Sequence, residues 1–292
     1  MGRKTGEKVK NFCIFVLPGC LVFCIIVIVP FLYGFYLTLT NWDGVRKVKQ
    51  IVGISNYIAV FQDADFWSSM GLTLKYVIIS VILVNVIAFL LAYVLTNGLK
   101  GQNFFRAGFF TPNLIGGVVL GFIWQFVFSR VLVNLGASTG WGIFSSSWLS
   151  NPNKAFWALI IVTVWQLSGY MMLIYIAGFT GLSADVLEAA RIDGATGFQK
   201  MKRVILPLMV PSFVICLFFT LSRVFMVYDV NLTLTGGEPY GTTKMVAIYV
   251  YEKAFTARNY GVGQAEALIL FVIVACISGF QIYLGKKKEV EA

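Results

Sequence analysis

The chain has 292 residues, of which 58% are hydrophobic and only 12% charged, and its mean hydropathy is +0.81. Soluble domains carry about 25% charged residues, and no water-soluble core of this length could hide so much apolar surface, so the bilayer is part of the solvent. The formal net charge of +10 would suit nucleic acid, but the Lys and Arg residues sit in short segments between apolar runs, the pattern that sets membrane orientation.

A spanning helix needs about 20 mostly apolar residues, and six stretches qualify: 12–39, 72–95, 107–128, 155–180, 205–228 and 265–284. The first follows the basic segment MGRKTGEKVK. Residues 11–42 carry no charge. That is longer than the roughly 7–15-residue core of a signal peptide, and no small-x-small cleavage site follows, so the stretch reads as an uncleaved span. With the N-terminus inside, the inner segments hold Arg3, Lys4, Lys8 and Lys10, then Lys100 and Arg106, then Arg191, Lys200, Lys202 and Arg203, then Lys286, Lys287 and Lys288. The outer segments are longer and poorer in Lys and Arg, so both termini are expected in the cytoplasm.

Cys13, Cys20, Cys24, Cys216 and Cys276 all fall inside apolar runs. The chain has no His, so these cysteines read as packing or lipid-facing residues and no metal site is expected. Trp42, Trp67, Trp141 and Trp148 fall in outer loops and suit the membrane–water boundary. Pro18, Pro30, Pro112, Pro207 and Pro211 lie in or beside spans and mark kinks. Gly117 and Gly121 form a small-xxx-small pair that reads as helix packing. The tripeptide Asn231-Leu-Thr233 fits a glycosylation acceptor and is read as chance. The stretch Gly236 to Lys244, GGEPYGTTK, has Thr242 where a phosphate-binding loop needs Lys and falls in an outer segment, so it is not read as one.

One internal segment is polar and strongly patterned: Glu188 to Pro207, EAARIDGATGFQKMKRVILP. Asp185, with Glu188 three residues on, resembles a capping box, predicting a short helix over 186–193. Gly194 suits the positive φ that ends a helix. Thr196 and Gln199 form a second capping box. The second helix then runs towards the membrane, where Pro207 and Pro211 bend it. An amphipathic hairpin lying on the membrane would explain the basic residues, but it explains less well two capping boxes packed around a glycine stop.

This segment resembles the EAA motif of the permease subunits of binding-protein-dependent ABC importers: EAA, three residues, Gly, nine residues, Ile-x-Leu-Pro. Glu188, Ala189, Ala190, Gly194, Leu206 and Pro207 match, and Val204 replaces the usual Ile conservatively. The form EAARIDGA, with Phe198 and Gln199, and the later stretch Val227 to Pro239 are similar to the carbohydrate-uptake branch, in particular the maltose-type first permease subunit. The resemblance covers the chain from the second span to the sixth. It implies an all-α membrane protein with six transmembrane helices, the type I importer permease fold, forming a single transmembrane permease domain over 1–292 with a cytoplasmic coupling loop at 183–211. The short helix would dock in a groove of a separate ATPase subunit, with Glu188 the anchoring acid, Gly194 the turn, and Ala189, Ala190, Asp193, Leu206 and Pro207 completing the coupling set. ATP and Mg²⁺ would be bound by that ATPase, and this chain would need no cofactor and do no catalysis. The implied partners are a second permease in a heterodimer, two ATPase subunits and an extracellular solute-binding protein.

Polar residues inside spans are costly and therefore functional candidates. Arg223 could bond sugar hydroxyls, or snorkel to the outer surface. Asp229 lies six residues on, too far round the helix for an ideal pair with it. Gln166 and Tyr170 share a face four residues apart. Tyr170 offers an aromatic face to a sugar ring, whereas Gln166 equally suits a bond between helices. Thr220 and Tyr228 complete the candidate substrate set. The expected function is ATP-driven uptake of sugar, with oligosaccharide the expected form. Permeases for glycerol phosphate or peptide, and an ion-coupled secondary transporter, are the alternatives.

Overall fold

A computed structural model describes residues 10–287. Arg3, Lys4, Lys8 and Lys288, part of the charge pattern above, lie outside the described residues. The chain is helical: α1 (Phe12–Thr38), α2 (Ser55–Gln62), α3 (Ala64–Thr96), α4 (Gln102–Phe110), α5 (Gly117–Thr139), α6 (Pro152–Thr180), α7 (Ala184–Ile192), α8 (Gly197–Leu208), α9 (Val210–Phe225), α10 (Asp229–Leu234), α11 (Val246–Tyr251) and α12 (Tyr260–Lys286). Among the described residues, α1, α3, α5, α6 and α12 are long and apolar enough to cross a membrane, and α8 with α9, bent by 66°, make a sixth span if counted as one.

Two compact units are distinguishable. One comprises the chain up to Ala64 with Val250–Leu270, the other Asp65–Tyr249 with the chain from Phe271. In the first, α1 leaves nearly all its side chains exposed, as an all-apolar helix does when lipid or another protein is its solvent. Asp63, capping α2, pairs with Lys253 at 2.7 Å. Glu266 of α12 is buried within electrostatic reach of both.

The second unit is built around α6. It is apolar on every side and the most buried of the spans. Its polar groups are matched inside the core: Tyr175 donates to Asn85 Oδ1 (2.8 Å), Asn85 donates to Thr220 Oγ1 (3.3 Å), and Thr220 donates to the Cys216 carbonyl (2.7 Å). α3, α6 and α9 are thus tied at one level, and Phe89 and Phe213 pack around the Tyr175 ring. Gly169 lets α6 touch the Phe109 backbone, where any Cβ would collide. Gly117 and Gly121 do the same for α5 against Asp229 and Thr233 of α10, so the small-residue pair is used for packing within the chain. Asn231 is buried and bonded to Thr235 and Thr243, a position closed to a glycan.

The structure departs from the expected elements in two places. The third span does not run over 107–128. α4 ends at Phe110, the backbone turns extended at Ile115 and Gly116, and the span starts again at Gly117. Pro112 and the Gly116-Gly117 pair break an apolar run that reads as continuous by composition. Asp185 is not the N-cap of α7: Ser183 holds that position, and Asp185 sits in the first turn, where its charge suits the helix dipole. Pro207 and Pro211 flank the 66° bend, as expected of them, and Pro112 lies at the α4–α5 break. Pro18, Pro30 and Pro207 each follow a π-helical turn, at Phe12–Val16, Cys24–Ile28 and Met201–Ile205. The wider turn accommodates a ring that would clash with the carbonyl four residues back.

Tyr175→Phe removes the donor to the buried Asn85 Oδ1 in the core. It should cost about 1–3 kcal/mol, read as a lower unfolding midpoint in detergent. Tyr283→Phe, on an exposed side chain, should shift stability by less than about 0.5 kcal/mol.

Candidate functional site

The polar segment after α6 forms the helix–turn–helix expected of it. α7 carries Glu188 and Ala189 exposed and Ala190 buried. Asp193 caps the helix, its N–H bonded to the Ala189 carbonyl at 2.9 Å. Gly194 then takes φ +73°. A Cβ there would meet nothing within 4 Å, so the glycine is needed for its backbone conformation and not for space. Thr196 and Gln199 make the full reciprocal capping box, at 2.8 and 3.3 Å. Leu206 and Pro207 lie half-buried at the 66° bend, where α8 meets α9.

Sequence reasoning missed two residues here. Ile192 and Phe198 are 80% and 75% exposed on this otherwise polar turn. A shallow hollow lies beside them, lined by Leu187, Glu188, Arg191, Ile192 and Lys200. The signal was available: two large apolar side chains sit in a polar segment with no helical face to bury them. Exposed apolar residues flanked by both signs of charge suit contact with another protein.

A cavity of about 440 Å³, with polar groups set among Leu167, Val224, Met226, Val227 and Val230, lies at the other end of α9. It is lined by Gln166, Arg223, Tyr228 and Asp229 of the expected set, together with Tyr76, Thr163 and Ser222. Arg223 donates to Asn113 Oδ1 at 3.1 Å, and its guanidinium lies 5.5 Å from the centre of the Tyr170 ring. Gln166 donates to the Ile115 carbonyl at 3.2 Å, satisfying the break between α4 and α5. Tyr170 therefore acts beneath Arg223 and does not line the cavity itself. Thr220 lies in the buried core network described above and is fully enclosed. Asn113, Tyr76, Thr163 and Ser222 had no sequence signal beyond being polar near a span, because the α4–α5 break that brings Asn113 to Arg223 was not visible. A wall carrying one cation, one carboxylate, an amide and hydroxyls can hold a ligand rich in hydrogen-bonding groups.

Comparison with known proteins gives a consistent picture. The family model described as "Binding-protein-dependent transport system inner membrane component" matches residues 84–290. The chain is 42% identical over 99% of both sequences to the "Probable starch degradation products transport system permease protein AmyD" of Thermoanaerobacterium thermosulfurigenes. It is 33% identical, over 89% of this chain and 90% of the relative, to the "Multiple sugar-binding transport system permease protein MsmF" of Streptococcus mutans. Its fold matches a chain in the crystal structure of a bacterial alginate ABC transporter in complex with an alginate pentasaccharide-bound periplasmic protein. The TM-score is 0.83 at 19% identity, covering 97% of this chain and 96% of that one.

Charged groups within a span need water, so the cavity should be wet. In a chain whose native cysteines have been replaced, Ser222→Cys and Met226→Cys should react with a charged, water-soluble thiol reagent. Ile161→Cys, in the separate apolar hollow between α3, α4 and α6, should react at least about tenfold more slowly. Mass spectrometry of the modified protein measures both rates.

Proposed function

From the premise that this chain belongs to the binding-protein-dependent transport system inner membrane components, we propose that it carries sugar, in oligosaccharide form, through the cavity lined by Gln166, Arg223, Tyr228 and Asp229. The chain is a multi-pass inner-membrane permease subunit with the type I importer fold, and it is a transport subunit, not an enzyme. It works in an ABC transporter that depends on a periplasmic binding protein. The sugar assignment is supported by the starch-product and multiple-sugar permeases it resembles along nearly its whole length.

The observation that carries the mechanism is the placement of the two sites. The 183–211 segment joins α6 to α9 in sequence, and the two helices reach the cavity, α6 at its middle and α9 at its far end. From Gln166 to Thr180 α6 rises about 20 Å. In our reading the 183–211 loop lies in the cytoplasm, as do both termini. Glu188, Ala189, Ala190, Asp193 and Gly194 shape a surface that docks on an ATPase subunit, with Ile192 and Phe198 as apolar anchors. Leu206 and Pro207 set the bend that passes the movement on. The complex would hold this chain, a second and different permease, and two ATPase subunits. ATP and Mg²⁺ bind in the ATPase pair. When that pair closes, its contacts with the loops favour one of two packings of the permeases, and the cavity changes side.

Inside the cavity, the Arg223 guanidinium, held by Asn113 and Tyr170, would donate to sugar hydroxyls while Asp229 accepts from them. Neither role requires a covalent step. The pairing of a donor-only with an acceptor-only group suits a polyol, which offers both functions at every hydroxyl.

Gly194→Val forces a β-branched residue to positive φ, at a cost of about 1–2 kcal/mol, with no steric clash. Sugar uptake by the assembled complex should fall about tenfold or more while the protein remains in the membrane at normal amounts. Gly194→Asn, which tolerates the left-handed conformation, should retain most uptake. Normal uptake by the valine variant, measured with radiolabelled maltotriose, would count against docking through this turn.

A further inference from the structure

The turn between α10 and α11 is built with more hydrogen bonds than a connection requires. Asn231 anchors it from below: Nδ2 donates to the Thr243 carbonyl (2.9 Å) and to Thr235 Oγ1 (3.0 Å), and Oδ1 accepts from Met245 N–H (3.3 Å). Across the turn, Glu238 N–H donates to the Thr235 carbonyl (2.9 Å), Thr243 N–H to the Gly237 carbonyl (3.2 Å) and Lys244 N–H to the Gly241 carbonyl (3.1 Å). The Thr243 hydroxyl, fully buried, donates to the Glu238 carbonyl at 2.7 Å. Gly236, Gly237 and Gly241 supply the positive φ values that such a tight path requires.

At the tip of this scaffold stands Tyr240, itself at φ +56°. That conformation is disfavoured for a side chain of this size. Its N–H is held by the Glu238 carboxylate at 2.6 Å. Its ring is 88% exposed, more than any other large apolar or aromatic side chain among the described residues. The backbone is strained, and the ring gains no packing from it. Strain kept at an exposed position points to a use outside the chain. A tyrosine on a rigid scaffold loses little entropy when it is covered, and tyrosines are enriched where a few residues carry most of the binding energy.

The chain path says what could reach it. The helix–turn–helix 183–211 and this turn are separated in sequence by α9, and counting α8 and α9 as one bent span, as the importer reading does, puts them on opposite membrane faces. The turn also follows directly on residues 226–230, which line the cavity, with only the two turns of α10 between. We propose that Tyr240, presented by the turn 235–244, is a docking point for the solute-binding protein, holding it beside the cavity it feeds. This rests on the importer reading given above. The Glu238 carboxylate holds the tip in shape and is not the contact itself.

The test uses the whole complex in lipid nanodiscs, with both permeases, the ATPase subunits and sugar-loaded binding protein. Tyr240→Ala should raise the binding-protein concentration needed for half-maximal stimulation of ATP hydrolysis by about 30-fold, leaving basal hydrolysis and complex yield unchanged. Gly237→Val keeps the ring but distorts the turn, because its φ is +87° and its Cβ would crowd Lys244, and it should have a similar effect. Tyr240→Phe should stay near wild type. In cells, p-benzoylphenylalanine in place of Tyr240 should crosslink to the solute-binding protein on illumination. Unchanged half-stimulation in Tyr240→Ala, or crosslinks only to lipid or to the second permease, overturns the docking proposal alone. A wild-type complex whose ATP hydrolysis ignores the binding protein overturns the importer reading, and this proposal with it.

Discussion

The bilayer core offers no water to bond with, so each polar side chain placed in a span must find its partner in the protein. The Tyr175–Asn85–Thr220 network is this chain's answer at the centre of its second unit. It joins α3, α6 and α9 where hydrophobic packing alone would distinguish poorly between one helix register and another, because lipid is as apolar as the helices themselves. Thr220 is one helical turn from Arg223, and Tyr175 is about one turn and a half from Tyr170 and from Thr180. The network therefore lies between the polar cavity and the 183–211 loop on both helices. Displacement of the loop end cannot be absorbed there without breaking buried hydrogen bonds.

The same constraint explains the two ends. Where the chain leaves helical geometry, something satisfies the freed backbone. Gln166 bonds the Ile115 carbonyl at the α4–α5 break, and the Thr196–Gln199 box closes the start of α8. Before Pro18, Pro30 and Pro207, π-helical turns widen the helix. The cavity differs in that Arg223, although bonded to Asn113, and Asp229 also face open space, where a passing solute and water can add further hydrogen bonds.

Much of this was legible from residues. Apolar run length located the five spans α1, α3, α5, α6 and α12, though not the start of α5, and the turn of the 183–211 loop was readable because glycine stops and the second capping box are local chemistry. Gly194 and the Thr196–Gln199 box needed nothing from the rest of the fold. What failed depended on distant contacts or on small backbone choices. The α4–α5 break hides in a run whose composition is continuous, and helix α5 therefore starts ten residues later than apolar content suggests. The sequence reading put the cap at Asp185, whereas Ser183, two residues earlier, holds it. Thr220 and Arg223 are three residues apart on one helix, yet one is sealed in the core and the other faces the cavity. Only the packing of α3 and α6 against that helix decides which is which. Ile192 and Phe198 could have been singled out by asking what an apolar side chain gains on a polar turn.

The central claim is that α6 and α9 move as one body, carrying the loop and the cavity together. The direct measurement is a pair of electron spin-label distances in the assembled complex, with and without ATP in a hydrolysis-deficient ATPase. One pair joins Phe198→Cys and Met226→Cys within this chain. The other joins Phe198→Cys to the corresponding loop of the second permease. The account predicts that ATP leaves the first distance unchanged and shortens the second. A first distance that changes with ATP as much as the second does would contradict it, because the loop would then move without carrying the cavity.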